Sequence, residues 1–342
     1  MIIKKNIRFT LLTIFLLVFF TESLSFLYLK IFSIDSELFL VENYAERTSE
    51  KTITLKKNIY KKIKINDWSV ITSPIRTRIS SLKERERYNN FKNNYEEKFI
   101  FIGDSIPFGY GLNADESLPH VFEKENNFFV INGAIPSFSL SQSIKRFKNE
   151  FASIKNIKYV YLQAIDPVNQ YINKGSAWIE SDNWTNSKIN KLKKTNFMNL
   201  NIPVYGEPFS YVIFKEFMTS QINTLKKERT VMSDDRFKKH VKNKINEIYK
   251  ITNDIGATLI LTTGSRNPNS KDTKKMKVEQ STVDNMIVLI LKNFSEKKNN
   301  VIYFDNISVF KDVSNEYFID SCCHYSKKGA KLISQELSKI VN

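Results

Sequence analysis

The sequence predicts an α/β protein, a parallel sheet with helices on both faces. Three observations carry that expectation. Five short apolar runs recur along the chain, amphipathic stretches separate them, and Gly-Asp-Ser closes the first run. The chain has 342 residues, 42% of them hydrophobic, enough to bury the core such a sheet requires.

The runs are KFIFIG (98–103), NFFVIN (127–132), IKYVYLQA (157–164), ATLILTTG (257–264) and NVIYFD (300–305). Their length and their β-branched and aromatic content are those of buried strands. Between them, Ile144, Phe147, Phe151 and Ile154 share one helical face, and Val241, Ile245, Ile248 and Ile251 share another that ends near Gly256. STVDNMIVLILKNFSEK and SKKGAKLISQELSKI continue the alternation. Residues 168–233, with Trp178 and Trp184, interrupt it and read as an insertion over one sheet edge. Residues 33–96 are polar and broken, and read as a stalk or an N-terminal extension laid on the main domain.

The first 32 residues read as a membrane anchor. Lys4, Lys5 and Arg8 precede an apolar stretch, and Phe9 to Leu29 has about the 20 residues a spanning helix needs. That charge order predicts a cytoplasmic N-terminus, one span and an exported remainder. A cleaved signal peptide is the alternative, with Ser23-Leu24-Ser25 as its site.

Lys and Arg outnumber Asp and Glu by 52 to 36, a formal charge of +16. Such a charge suits anionic membrane surfaces and acidic polysaccharides. Its runs are short and lack interleaved aromatics, so nucleic acid is not an expected partner. The two cysteines, Cys322 and Cys323, are adjacent. Neighbouring Cα atoms stand about 3.8 Å apart, below the usual disulfide range, so no structural bridge is expected. No P-loop, GxGxxG or metal-ligand spacing occurs, so neither cofactor nor metal is expected.

Ligand sites of parallel sheets gather at the carboxyl ends of the strands, where Gly103-Asp104-Ser105 falls. A serine hydroxyl needs a base, usually histidine. His120 begins a helix and His240 sits on a basic helical face, so both read as surface or packing residues. His324 lies between a strand-like segment and the last amphipathic helix, where it can point to the same sheet edge. Asp320, four residues earlier, is placed to accept its Nδ1–H.

In order and separation, FIGDSIPFGYGL, INGAIPSFSLSQS and DSCCHYSKKGAKLIS resemble the SGNH/GDSL hydrolase superfamily over roughly residues 97–340. With its basic, apolar N-terminus, the chain resembles the bacterial membrane-anchored members. The resemblance implies a flavodoxin-like three-layer α/β/α sandwich. It implies Ser105 as nucleophile, His324 as base and Asp320 as orienting acid. It also implies an oxyanion hole from the Ser105 N–H, a glycine matched by Gly133, and an asparagine. Asp166 stands where that asparagine is expected, and Asn169 lies three residues on. The family spacing Asp-x-x-His would put Ser321 at the acid position, so Asp320 requires one extra residue in the turn.

Three functions follow as expectations. The first is an extracytoplasmic ester hydrolase acting on O-acyl groups, acetyl foremost, of a cell-envelope glycan or lipid. The second is an envelope polysaccharide O-acyltransferase with the same acyl-enzyme. The third, motivated by the altered asparagine position, is a non-catalytic glycan-binding protein.

Overall fold

The computed structural model describes residues 2–32, 44–47, 53–63, 68–89, 97–136, 138–163, 194–197, 200–203, 234–268, 274–311 and 313–341. The chain forms two compact units, Met1–Asn43 with Thr185–Arg229, and Tyr44–Trp184 with Thr230–Asn342. The first contains helix α1 (Ile2–Phe32) and an antiparallel hairpin of Lys194–Phe197 with Leu200–Pro203. Among the described residues no helix is long and apolar enough to cross a membrane, so the expected span has no support here. Trp178, Trp184 and most of the insertion expected at 168–233 lie outside the described residues.

In the second unit, β1 (Ala45–Arg47) and β2 (Ile53–Leu55) pair antiparallel. The main sheet then takes β3 (Tyr60–Ile63), β4 (Trp68–Thr72), β5 (Arg78–Ile79), β6 (Lys98–Ile102), β7 (Phe129–Asn132), β8 (Ile157–Gln163), β9 (Thr258–Thr262) and β10 (Val301–Tyr303). Its order is β10-β9-β8-β6-β7-β5-β4-β3. All five apolar runs become neighbouring parallel strands, β10 through β7. The sheet is nevertheless mixed. Residues 60–79, inside the stretch read as a stalk or extension, add three antiparallel strands beyond β7. At the far end, β3 carries Lys61 and Lys62, both exposed.

Strand periodicity of two separates the core into two clusters. Ile100 and Ile102 of β6 pack with Ile144, Phe147 and Phe151, with Val241, Ile245 and Ile248 of α5 (Asp234–Asp254), and with Ile287 and Leu291 of α6 (Lys274–Ser295). Phe99 and Phe101 face the other way, onto Leu118 and Phe122 of α3 (Leu118–Glu125) and Ile333 and Leu337 of α7 (Lys327–Val341). Each helical stripe expected from the sequence is thus a buried face. The helix α4 (Leu140–Arg146) starts at a capping box, the Ser139 hydroxyl accepting the Gln142 N–H while Gln142 Oε1 accepts the Ser139 N–H. Phe147–Phe151 extend it as one π-helical turn.

Candidate active site

At the carboxyl end of β6 the chain turns through Gly103 and Asp104 into a short helix, α2 (Ser105–Phe108). Asp104 caps it, Oδ1 accepting the Ile106 N–H at 3.1 Å. That turn presents Ser105 above the sheet. The chain returns 219 residues later, and His324 Nε2 stands 2.8 Å from Ser105 Oγ. His324 Nδ1 pairs with Asp320 Oδ2. With Nδ1–H donated to a carboxylate, Nε2 is left to accept the serine proton. The structure therefore brings together all three residues expected to react.

The extra residue between Asp320 and His324 is absorbed by the turn itself. Asp320 Oδ1 accepts the N–H groups of Cys322 (3.0 Å), Cys323 (3.0 Å) and His324 (3.2 Å). Asn267, just after β9, pins the turn from outside. Its Nδ2 donates to the Asp320 carbonyl at 2.8 Å and its N–H to the Cys322 carbonyl at 2.7 Å. Partial burial pushes the Asp320 carboxyl up, but the hydrogen bond and charge of His324 and the backbone donors outweigh it and hold the group at about 2. It is an anion wherever an esterase would operate.

Asp104 is the opposite case. Burial dominates and pushes its carboxyl up to about 6, against the Ile106 N–H and the nearby His324. A folded-state value above the ordinary one means that the native state holds the proton more tightly. Stability from this group is then full below about pH 4 and falls as pH rises to about 6. Asp104→Asn keeps the acceptor for Ile106 and removes the ionisation. It is expected to raise stability at pH 8 by on the order of 2 kcal/mol, and less at pH 4. Thermal unfolding of both proteins at the two pH values checks this; an equal difference at both would contradict it.

Two expectations are corrected. The Gly133 N–H donates to the Phe101 carbonyl at 2.8 Å, continuing the β6–β7 ladder, so it is spent and does not serve an oxyanion. Glycine is required there by packing, because a Cβ would sit 2.5 Å from the Phe151 ring. Cys322 and Cys323, expected not to bridge, form a disulfide. The turn that aims successive N–H groups at Asp320 also brings the two Sγ atoms together. Reducing this bond is expected to loosen the turn and lower kcat by about tenfold, since small misplacements near reacting groups cost 10–10²-fold. Ester hydrolysis with and without dithiothreitol measures it, and a Cys322→Ser/Cys323→Ser variant should show the lowered rate and no further response.

Of the other expected oxyanion donors, the Ser105 N–H lies in the first turn of α2, where amides have no intrahelical partner. Asp166 and Asn169 lie outside the described residues. His120 is buried, 3.4 Å from Ser117 Oγ and 3.5 Å from Glu84 Oε2, and His240 lies 3.3 Å from Ser141 Oγ, so neither joins Ser105. Glu84, His120 and Glu123 bring ligand atoms within 4.8 Å of one another, but Arg87 already supplies positive charge there, 2.6 Å from Glu123.

The sequence reading missed three neighbours of the site. The Tyr110 ring lies 4.9 Å from the His324 ring and 5.3 Å from that of Trp68. Arg78 is fully buried beneath the loop that carries Tyr110. Tyr110 stands in the quoted run FIGDSIPFGYGL, whereas nothing local distinguishes Arg78 or Trp68 from the polar stretch around them.

No family model matches the chain, and no curated protein matches it. Similar solved structures include a lipolytic protein of the G-D-S-L family from Veillonella parvula, 11% identical, with a TM-score of 0.44, covering 71% of this chain and 97% of its own. Another is the acetylxylan esterase Axe2 from Geobacillus stearothermophilus, 13% identical, with a TM-score of 0.43, covering 72% and 94%. At these scores the likenesses add no weight to the reading of the site, which rests on its own geometry.

Proposed function

We propose that this protein is a serine ester hydrolase of the SGNH/GDSL type, acting through Ser105, His324 and Asp320. The observation that carries the reading is one relay: Ser105 Oγ within 2.8 Å of His324 Nε2, and His324 Nδ1 held by the Asp320 carboxylate. Ser105 Oγ attacks the ester carbonyl while its proton passes to Nε2. Asp320 stays ionised and steadies the imidazolium. The tetrahedral intermediate collapses as His324 returns the proton to the leaving alcohol. Water, deprotonated by the same imidazole, then cleaves the acyl-serine to release the acid and restore the hydroxyl.

The substrate in this reading is a small O-acyl ester, acetyl foremost, on a cell-envelope glycan or lipid. The domain is held outside the bacterial cytoplasm by the N-terminal helix. Support comes from the net charge of +16, which suits an acidic envelope surface, and from Lys4, Lys5 and Arg8 ahead of the apolar stretch. Leu12, Phe15, Leu17 and Phe20 of α1 are each more than half exposed, an apolar surface that water does not favour.

A fluorophosphonate probe tests the chemistry. The expected result is one adduct, on Ser105; an unlabelled protein or an adduct elsewhere would sink the triad. Acyl transfer to an added sugar in excess of hydrolysis would make the enzyme a transferase instead. Alkaline carbonate extraction of cell membranes tests the anchor, and release of the protein into the supernatant would remove it.

A further inference from the structure

We propose that Arg78 is a positioning residue for the reaction: the antiparallel strands at the sheet edge complete the active site by fixing Tyr110 against the catalytic imidazole. This rests on the hydrolase reading of Ser105 and His324.

Arg78 lies in β5 with no exposed surface. Its Nη1 donates to the carbonyls of Phe108 and Gly109, both at 2.7 Å. Its Nη2 donates to the carbonyl of Ser69 at 2.8 Å and to that of Leu112. Three of these four carbonyls belong to residues 108–112, the end of α2 and the loop that follows it. The guanidinium also lies 4.8 Å from the Phe108 ring centre and 5.2 Å from that of Trp68. Burying a charge is costly unless it is paired or hydrogen-bonded, and among the described residues its hydrogen bonds go to backbone carbonyls and to no carboxylate. Burial lowers the Arg78 guanidinium to about 9, so it remains a cation at neutral pH. A buried cation spent on backbone carbonyls is a device for holding a loop.

That loop reaches each half of the triad. The Tyr110 N–H donates to the Ser105 carbonyl at 3.0 Å. The Tyr110 ring lies against both Trp68, at 5.3 Å, and His324, at 4.9 Å, tilted 37° to the imidazole. A Cβ on Gly111 would stand 2.3 Å from the tip of the Ile319 side chain, so the loop comes up against the residue before Asp320. Tyr110 is half-buried where it meets His324. Its face therefore limits how far the imidazole can swing from Ser105 Oγ as charge develops on it. Trp68 and Arg78 both come from residues 68–79, far from the reacting groups in sequence and outside the motif segments.

The test compares full-length Tyr110→Ala, Tyr110→Phe, Arg78→Lys and Arg78→Met with wild type on a short p-nitrophenyl ester. Tyr110→Ala is expected to lower kcat by about 10–10²-fold with little change in KM, and to displace the acid limb of kcat/KM against pH. Tyr110→Phe, which keeps the ring, should restore the wild-type profile. Arg78→Lys should fall between wild type and Arg78→Met. If Arg78→Met does not fold, the Tyr110 pair and Arg78→Lys still decide. An unchanged kcat and pH profile in folded Tyr110→Ala, or an unchanged kcat in Arg78→Lys, overturns the proposal. A wild-type protein inert to the fluorophosphonate would instead overturn the hydrolase reading beneath it.

Discussion

Ser105→Ala is expected to lower kcat on a short acyl ester by roughly 10⁴-fold or more, with thermal unfolding unchanged. The rate falls because the imidazole is left with no nucleophile to activate: at 2.8 Å from Nε2 the serine oxygen is in place to give up its proton as it attacks. Stability is spared for a separate reason. The helix that begins at residue 105 is capped by Asp104, through the Ile106 N–H, and not by the serine. Alanine is also an excellent helix former. Steady-state kinetics alongside a melting curve reads both halves. A folded variant retaining activity within tenfold of wild type would remove Ser105 from the chemistry.

Asp320→Asn is expected to cost about 10⁴-fold in kcat near pH 7 while the turn around it stays folded. The two oxygens of this carboxylate do different work. Oδ1 accepts three backbone N–H groups, and an asparagine Oδ1 can keep all three. Oδ2 accepts the Nδ1–H of His324, and an amide nitrogen there would donate instead. The ring must then carry its proton on Nε2, facing Ser105, and cannot accept another. Asp320→Ala makes the contrast. It should lose activity similarly but also melt lower, because three N–H groups lose their acceptor. A kcat for Asp320→Asn within tenfold of wild type, measured across pH 6–9, would mean that the imidazole is oriented by something else.

The residues of the proposed triad were legible as neighbours, and the residues that hold them were largely not. Ser105 and His324 announce themselves because each follows a strand-like segment and precedes a helix, and a parallel sheet sends both junctions to one edge. The five parallel strands were legible for the same reason, as short runs such as KFIFI with no polar face. Gly133 misled because its partner, the Phe101 carbonyl, is settled by strand pairing, which no motif encodes. Arg78 was hidden because a charged residue in a polar stretch reads as surface, whereas it is fully buried. The two-residue strand that carries it pairs with β7 through one residue, Asn132, too little to leave a periodic trace. The disulfide was hidden because separation along the chain argued against it, and only the fold of the turn around Asp320 argues for it.

The added antiparallel strands also change what the molecule offers its neighbours. Without them, the apolar β7 would be the last rung, an open row of hydrogen-bonding groups that invites another polypeptide to stack on. The last rung is instead β3, four residues long with the consecutive Lys61 and Lys62 on alternate faces, while at the opposite margin β10 has three. Short rungs and an ammonium group on each face of the edge strand discourage cross-chain stacking, which protects the protein from aggregation.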